Sequence, residues 1–174
     1  ANQSPLAYRL ALLKDPRAKA VVEKVAQMAE FDRKREGRSL GLAFAKLGLP
    51  PVGYSMAATV AEVSVDRASG KIRVHNLWIA ADAGLPVQPG NLIAQIEGSA
   101  IFNLSASLKE RITIKDGIVQ QTNFHAYELL RQSEVPEIKV ELIRSGEMPL
   151  PAGELGIGGI APAIANAVLA LTGK

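Results

Sequence analysis

The chain has no cysteine. No disulfide framework, zinc ribbon or iron–sulfur cluster can therefore be built from it alone. Aromatics are scarce, with one Trp, three Tyr and four Phe, too few to interleave a basic surface with base-stacking rings. The two histidines, His75 and His125, have no second ligand at metal spacing, so both are read as structural. Without a nucleophile elbow there is no Ser-His-Asp arrangement either. No run approaches the roughly 20 apolar residues of a membrane-spanning helix, and the opening ANQSPLAYRLALLKD lacks the charged-apolar-small order of a secretory signal.

What is present is material for a core. Of 174 residues, 48% are hydrophobic and 21% charged, enough for one domain of ordinary size. The net charge of +3 is unevenly spread: residues 1–46 carry ten Lys/Arg against five Asp/Glu, the remainder ten against twelve. Mixed signs and missing aromatics argue against nucleic acid as a partner. A chain that opens on Ala1 and ends on Lys174 just as a helix finishes is expected to be a piece of something larger.

Periodicity marks out the elements. Asp15-Pro16 is a helix start, and Val21, Val22, Val25, Met28 and Ala29 recur at helical spacing, so 16–31 is expected to be an amphipathic helix. A charged loop follows, and residues 40–58, with two prolines and no clear period, are expected to hold a short strand and a turn. Ala61, Val63 and Val65 alternate with Glu62, Ser64 and Asp66, the pattern of a half-buried strand. Residues 71–82 return as its hairpin partner. Asn91 is expected to cap a helix reaching Leu108, in which Gly98 costs about 1 kcal/mol relative to alanine and implies a close approach to that backbone. A second hairpin turns at Lys115-Asp116-Gly117. A strand over 137–144 and a helix from Pro162 to Leu171 finish the chain. The expectation is an α+β fold, a mixed or antiparallel sheet with packed helices, in a single unit 1–174 whose basic segment 1–46 is helical and whose remainder, 47–174, is α+β.

One stretch raises a chemical question. In GELGIGGIAPAIANAV, Glu154 lies among Gly153, Gly156, Gly158 and Gly159, glycines that permit positive φ or close approach. A carboxylate there suits a general base; it equally suits a partner for the following helix dipole, or plain hydration. A phosphate cradle is the weaker reading, since no Gly-Lys-Ser/Thr ending is present. Gln95 and Glu97 sit in an apolar helix. Gln95 offers donors and acceptors for a heterocycle edge, or makes an internal hydrogen bond to a loop. Asp82, at a strand end, is expected to brace the turn after it.

Taken together, VAEVSVDRASGKIRVHNLWIAADAG, NLIAQIEGSAIFNLSASLKERITIKDGIVQQTNFHAYELLR, PEIKVELI and GELGIGGIAPAIANAV resemble the C-terminal region of the molybdopterin-binding large subunit of xanthine dehydrogenase-family hydroxylases. The resemblance runs closest to the isoquinoline 1-oxidoreductase large (beta) chain and aldehyde oxidoreductases. It implies that Glu154, in the Gly153-Glu154 motif, is the active-site base beside molybdenum. Gln95, in Gln-x-Glu-Gly, would contact the molybdopterin, with Glu97 and Gly98 shaping the pocket. No residue of this chain is implied as a metal ligand. The implied reaction is hydroxylation of an N-heterocycle or aldehyde with oxygen from water. The implied cofactor is molybdopterin in its cytosine dinucleotide form, absent from an isolated fragment, and the implied partners are the N-terminal remainder of the large subunit and a separate [2Fe-2S] small subunit. Leu155, Gly158 and Gly159 stand where the family commonly has prolines, and Gln88-Pro89 replaces its Asn-Pro, changes expected to loosen the loop. The rival expectation is a stand-alone, non-catalytic interaction or scaffold domain.

Overall fold

Two short helices open the structure, a computed structural model that describes residues 3–173. Residues 1, 2 and 174 of the expected unit lie outside the described residues. Helices α1 (Pro5–Leu12) and α2 (Pro16–Met28) start alike: Ser4 accepts from the Ala7 N–H at 3.1 Å, and Asp15 from the Arg17 N–H at 2.9 Å, each ahead of a proline. The sequence reading has α2 and not α1, although Ser4-Pro5 carries the same start signal.

Strands β1 (Ser39–Leu49), β2 (Gly53–Val65) and β3 (Ile72–Asp82) follow as an antiparallel meander. Next come α3 (Pro89–Leu108), the two-residue strands β4 (Ile114–Lys115) and β5 (Ile118–Val119), a 3-10 turn at Gln132–Glu134, β6 (Glu137–Leu142) and α4 (Ile160–Thr172). The main sheet has the order β1-β2-β3-β6, with β6 parallel to β3. It is a mixed sheet with packed helices, the α+β class expected.

Helices cover both faces of this sheet. Leu42, Met56, Ala58, Val60 and Trp78 meet Val21, Val22 and Val25 of α2. On the other face Ala57, Ala61, Leu77 and Ile79 meet Ile96 and Leu104 of α3 and Ile160 and Ala163 of α4. Each fully buried Val, Leu or Ile contributes about 1.5–3 kcal/mol. Two-sided cover corrects the half-buried reading of β2, whose residues from Ser55 to Val63 are all buried. Glu62 is not a solvent-face residue: it is 4% exposed and pairs with Arg35 at 2.8 Å and Arg38 at 3.2 Å. The charged loop after α2 folds back to neutralise it.

Other boundaries move too. The 46/47 division falls inside β1, so residues 39–46 are strand and only 5–12 and 16–28 of the basic segment are helix. Gln88, not Asn91, caps α3, accepting from the Asn91 N–H at 3.1 Å with Pro89 at the first position. Helix α4 begins at Ile160, two residues before the expected proline. The Asp116-Gly117 hairpin forms, but with two residues per arm, and both arms are exposed.

Candidate functional site

Because β6 runs parallel to β3, the chain leaves β6 at the end of the sheet where β3 stops at Asp82. From there a strap over residues 143–152 is fastened rung by rung. The Ile143 N–H donates to the Ala81 carbonyl at 2.8 Å, the Leu85 N–H to Glu147 at 2.9 Å and the Leu150 N–H to Ala83 at 3.0 Å. The Ser55 hydroxyl donates to the Pro151 carbonyl. Gly84, at φ +69, has no room for a side chain, since an added Cβ would overlap the Met148 carbonyl.

Asp82 is the hub of this strap and braces the turn as expected. Its carboxylate is fully buried and accepts from the Arg17 Nε at 2.7 Å, the Gly84 N–H at 2.9 Å and the Ser145 hydroxyl at 2.8 Å. Burial pushes its pKa up, but those three donors and the Arg17 charge outweigh it and hold the carboxyl below its ordinary value. The sequence reading missed Arg17 and Ser145. Their partner is 65 and 63 residues away, and no local pattern announces such a pairing.

The strap delivers Gly153 and Glu154 to α3. There the Gln95 side-chain Nε2 donates to the Gly153 carbonyl at 2.7 Å. The internal hydrogen bond from Gln95 to a loop is thus observed, and it joins the two motifs that the sequence separates by 58 residues. Gln95 does not lie between two buried faces as its sequence context implied; it is exposed, as are Gly98, Gly153 and Glu154, while Glu97 is half-buried. Among the described residues the Glu154 carboxylate makes no ion pair or hydrogen bond.

The glycines divide into two sets. None of Gly153, Gly156, Gly158 and Gly159 adopts positive φ, so conformational freedom is not their use. A Cβ on Gly156 would overlap the Ser99 hydroxyl and the Ile96 carbonyl; one on Gly158 would press on Ala45, and one on Gly159 would overlap Thr59. Gly98 and Gly153 have nothing within 4 Å of an added Cβ. The close approach expected at Gly98 is therefore not made by this chain. Nor is the loop slack: Leu155, in a position commonly held by proline, is 2% exposed within the core, Gly156 abuts α3, and Gly158 and Gly159 abut the sheet.

The remaining candidates stay outside this face. His75 falls in a β-bulge where the pairing of β2 with β3 skips it, and its ring lies 2.8 Å from the Ser64 hydroxyl. Burial, with Arg38 and Arg73, lowers its pKa. It lines a cleft of about 800 Å³ with Ser107, Lys109 and Glu134 at the opposite ends of β3 and α3. His125 is exposed in a turn. Among the described residues no cluster of His, Asp and Glu could hold a metal ion, and no helix is long and apolar enough to cross a membrane.

The family model described as "Molybdopterin cofactor-binding domain" matches residues 15–136. The chain belongs to this family. It is 40% identical over 176 residues to the large (beta) chain of isoquinoline 1-oxidoreductase from Brevundimonas diminuta, covering 99% of this chain and 22% of that protein. It is 35% identical over 187 residues to a nicotinate dehydrogenase chain from Pseudomonas putida, covering 99% of this chain and 16% of that one. The chain thus spans about a fifth of the length of the curated relatives it matches. Carbon monoxide dehydrogenase from Oligotropha carboxidovorans shares the fold, with a TM-score of 0.64 at 18% identity over 72% of this chain and 17% of that one.

Proposed function

We propose that this chain is one unit, residues 1–174, of the molybdopterin-binding subunit of a molybdenum hydroxylase, with Glu154 as its base. The observation that carries the reading is the Gln95–Gly153 hydrogen bond, which joins α3 to the loop that carries Glu154. The group fits this site in one checkable respect: Gly98 and Gly153 keep clear the space that side chains would fill. Gln95 and the backbone at Gly98 and Gly153 would hold the molybdopterin. When bound, the cofactor supplies a two-electron oxidation of an electron-poor carbon, with water as the oxygen source. This chain's contribution is general-base work: the Glu154 carboxylate takes a proton from the attacking oxygen nucleophile. Its side chain has no competing partner among the described residues, so it is free to accept that proton.

The substrate class is an N-heterocycle, as the names of the two matched relatives support, or an aldehyde, as the family resemblance implies. The cofactor is the cytosine dinucleotide form, and electrons leave through a separate [2Fe-2S] subunit, consistent with a chain that has no cysteine to hold a cluster. The isolated unit does not turn over. Uncovered apolar side chains support the need for more polypeptide: Phe102 is 66% exposed, Ile114 69%, Ile118 67% and Phe124 73%. The test is Glu154→Gln in the complete, molybdenum-loaded enzyme. Hydroxylation of isoquinoline, nicotinate or an aldehyde is expected to be abolished with molybdenum content intact; near-normal turnover would remove Glu154 from the mechanism.

A further inference from the structure

We infer that Gln95 is a positioning residue for Glu154, holding the base's backbone through the Gly153 carbonyl rather than serving only as a cofactor contact. The inference rests on Glu154 being the base. The peptide between Gly153 and Glu154 is planar, so its carbonyl oxygen, amide nitrogen and both Cα atoms move as one rigid unit. A donor that holds the Gly153 oxygen therefore restrains the Glu154 Cα.

The Gln95 Nε2 supplies that donor at 2.7 Å. On the other side the Glu154 carbonyl accepts from the Ile157 N–H at 3.0 Å, and Leu155 is anchored in the core. Both peptide planes flanking the Glu154 Cα are held, and only its side-chain torsions stay free. The weak point is Gly153, which has the widest backbone choice of any residue type and no packing to restrict it. The bond from Gln95 closes that weak point.

Geometry also separates the two halves of the amide. The Nε2 is committed to the loop, while the Oε1 has no partner among the described residues and is left for whatever occupies the face. Gln95→Glu keeps an acceptor and loses the donor; Gln95→Met loses both at similar length. The side chain is exposed, so neither change is expected to unfold the protein.

The experiment uses the complete molybdenum-loaded enzyme and reads amide hydrogen exchange at 153–157, molybdenum content, and kcat and KM for a turned-over N-heterocycle or aldehyde. Both variants are expected to exchange about 5-fold faster at Leu155 and Ile157, the factor one net hydrogen bond is worth. They are expected to lose roughly 10- to 100-fold in kcat, the scale of a displaced catalytic group. KM should stay in place, and molybdenum should be retained at least in Gln95→Glu. Unchanged exchange at 153–157 in both variants, with any loss of turnover tracking lost molybdenum, would overturn the inference and leave Gln95 a cofactor contact alone. If instead Glu154→Gln turns over normally, the base reading fails while faster exchange in Gln95→Met still stands, so the two failures are distinguishable.

Discussion

Gly153 and Gly156 stand three residues apart in one turn, and the space around them is opposite. At Gly156 the missing side chain lets the turn press against the Ser99 hydroxyl and the Ile96 carbonyl of α3. At Gly153 nothing lies within 4 Å of where a Cβ would stand. The same division separates Gly159, fitted against Thr59, from Gly98, which is open. A glycine pressed by its own chain is explained by packing. A glycine beside open space, in a helix where alanine would be better by up to about 1 kcal/mol, is not explained by packing of the described chain. The fastened side of the loop thus reports on folding, and the open side is where the proposed binding would act.

The largest effect is expected on the fastened side, at its hub. Asp82→Asn removes a fully buried charge from Arg17, itself only 21% exposed, and is expected to cost about 3 kcal/mol of folding free energy, because a largely buried guanidinium loses its paired carboxylate and keeps only the more distant charges of Glu147 and Asp15. Chemical denaturation of the variant checks this. The pH dependence follows from the sign of the shift. Asp82 titrates below its ordinary value of 3.8, so its contribution is complete above that pH and is lost as the pH falls through its lower folded value. The gap between wild type and Asp82→Asn should narrow below pH 3.8 and be flat above it. A gap that instead narrowed on the alkaline side would contradict the ion pair.

Gly156→Ala comes next, at about 2 kcal/mol. The added methyl meets the Ile96 carbonyl, a backbone atom of α3 that cannot turn aside as a side chain can, so the turn or the helix must shift. A stability equal to wild type would remove the distinction between pressed and open glycines. Gly153→Ala, where φ is not positive and space is open, is expected to change folding by less than about 0.5 kcal/mol.

How much of this was legible depended on the range of each signal. Helix α2, the β2–β3 hairpin and α3 are written in local period and caps, and they appear close to where the sequence puts them. Strand β1 was legible only as a short strand somewhere in residues 40–58, without its length or pairing. Its Gly41 lets α4 come close, with an added Cβ overlapping the Ala163 carbonyl and the Ala167 amide nitrogen, so a residue that reads as a strand breaker marks helix-on-sheet contact. Glu62 misled the reading of β2 for a related reason: its neutralising arginines lie in the loop of residues 32–38, which the sequence shows only as charged. At the site, Gln95 and Glu154 were legible as separate motifs. The contact between them depends on β6 lying parallel to β3, and no local pattern carries that pairing.

One variant of opposite sign separates folding from binding most cleanly. Gly98→Ala should stabilise the chain by about 0.5–1 kcal/mol, because it places a better helix former in α3 at a site with free space. In the complete enzyme the same methyl would enter the space assigned to the molybdopterin, and molybdenum content should fall even though the polypeptide is more stable. Thermal denaturation and elemental analysis of one preparation read both quantities. A variant that gained stability and kept its full molybdenum would show that the open face at Gly98 is covered by other polypeptide or by water, and would move the cofactor off α3. A variant that lost both would mean that the free space is not free, and that Gly98 belongs with Gly156 among the glycines that packing explains.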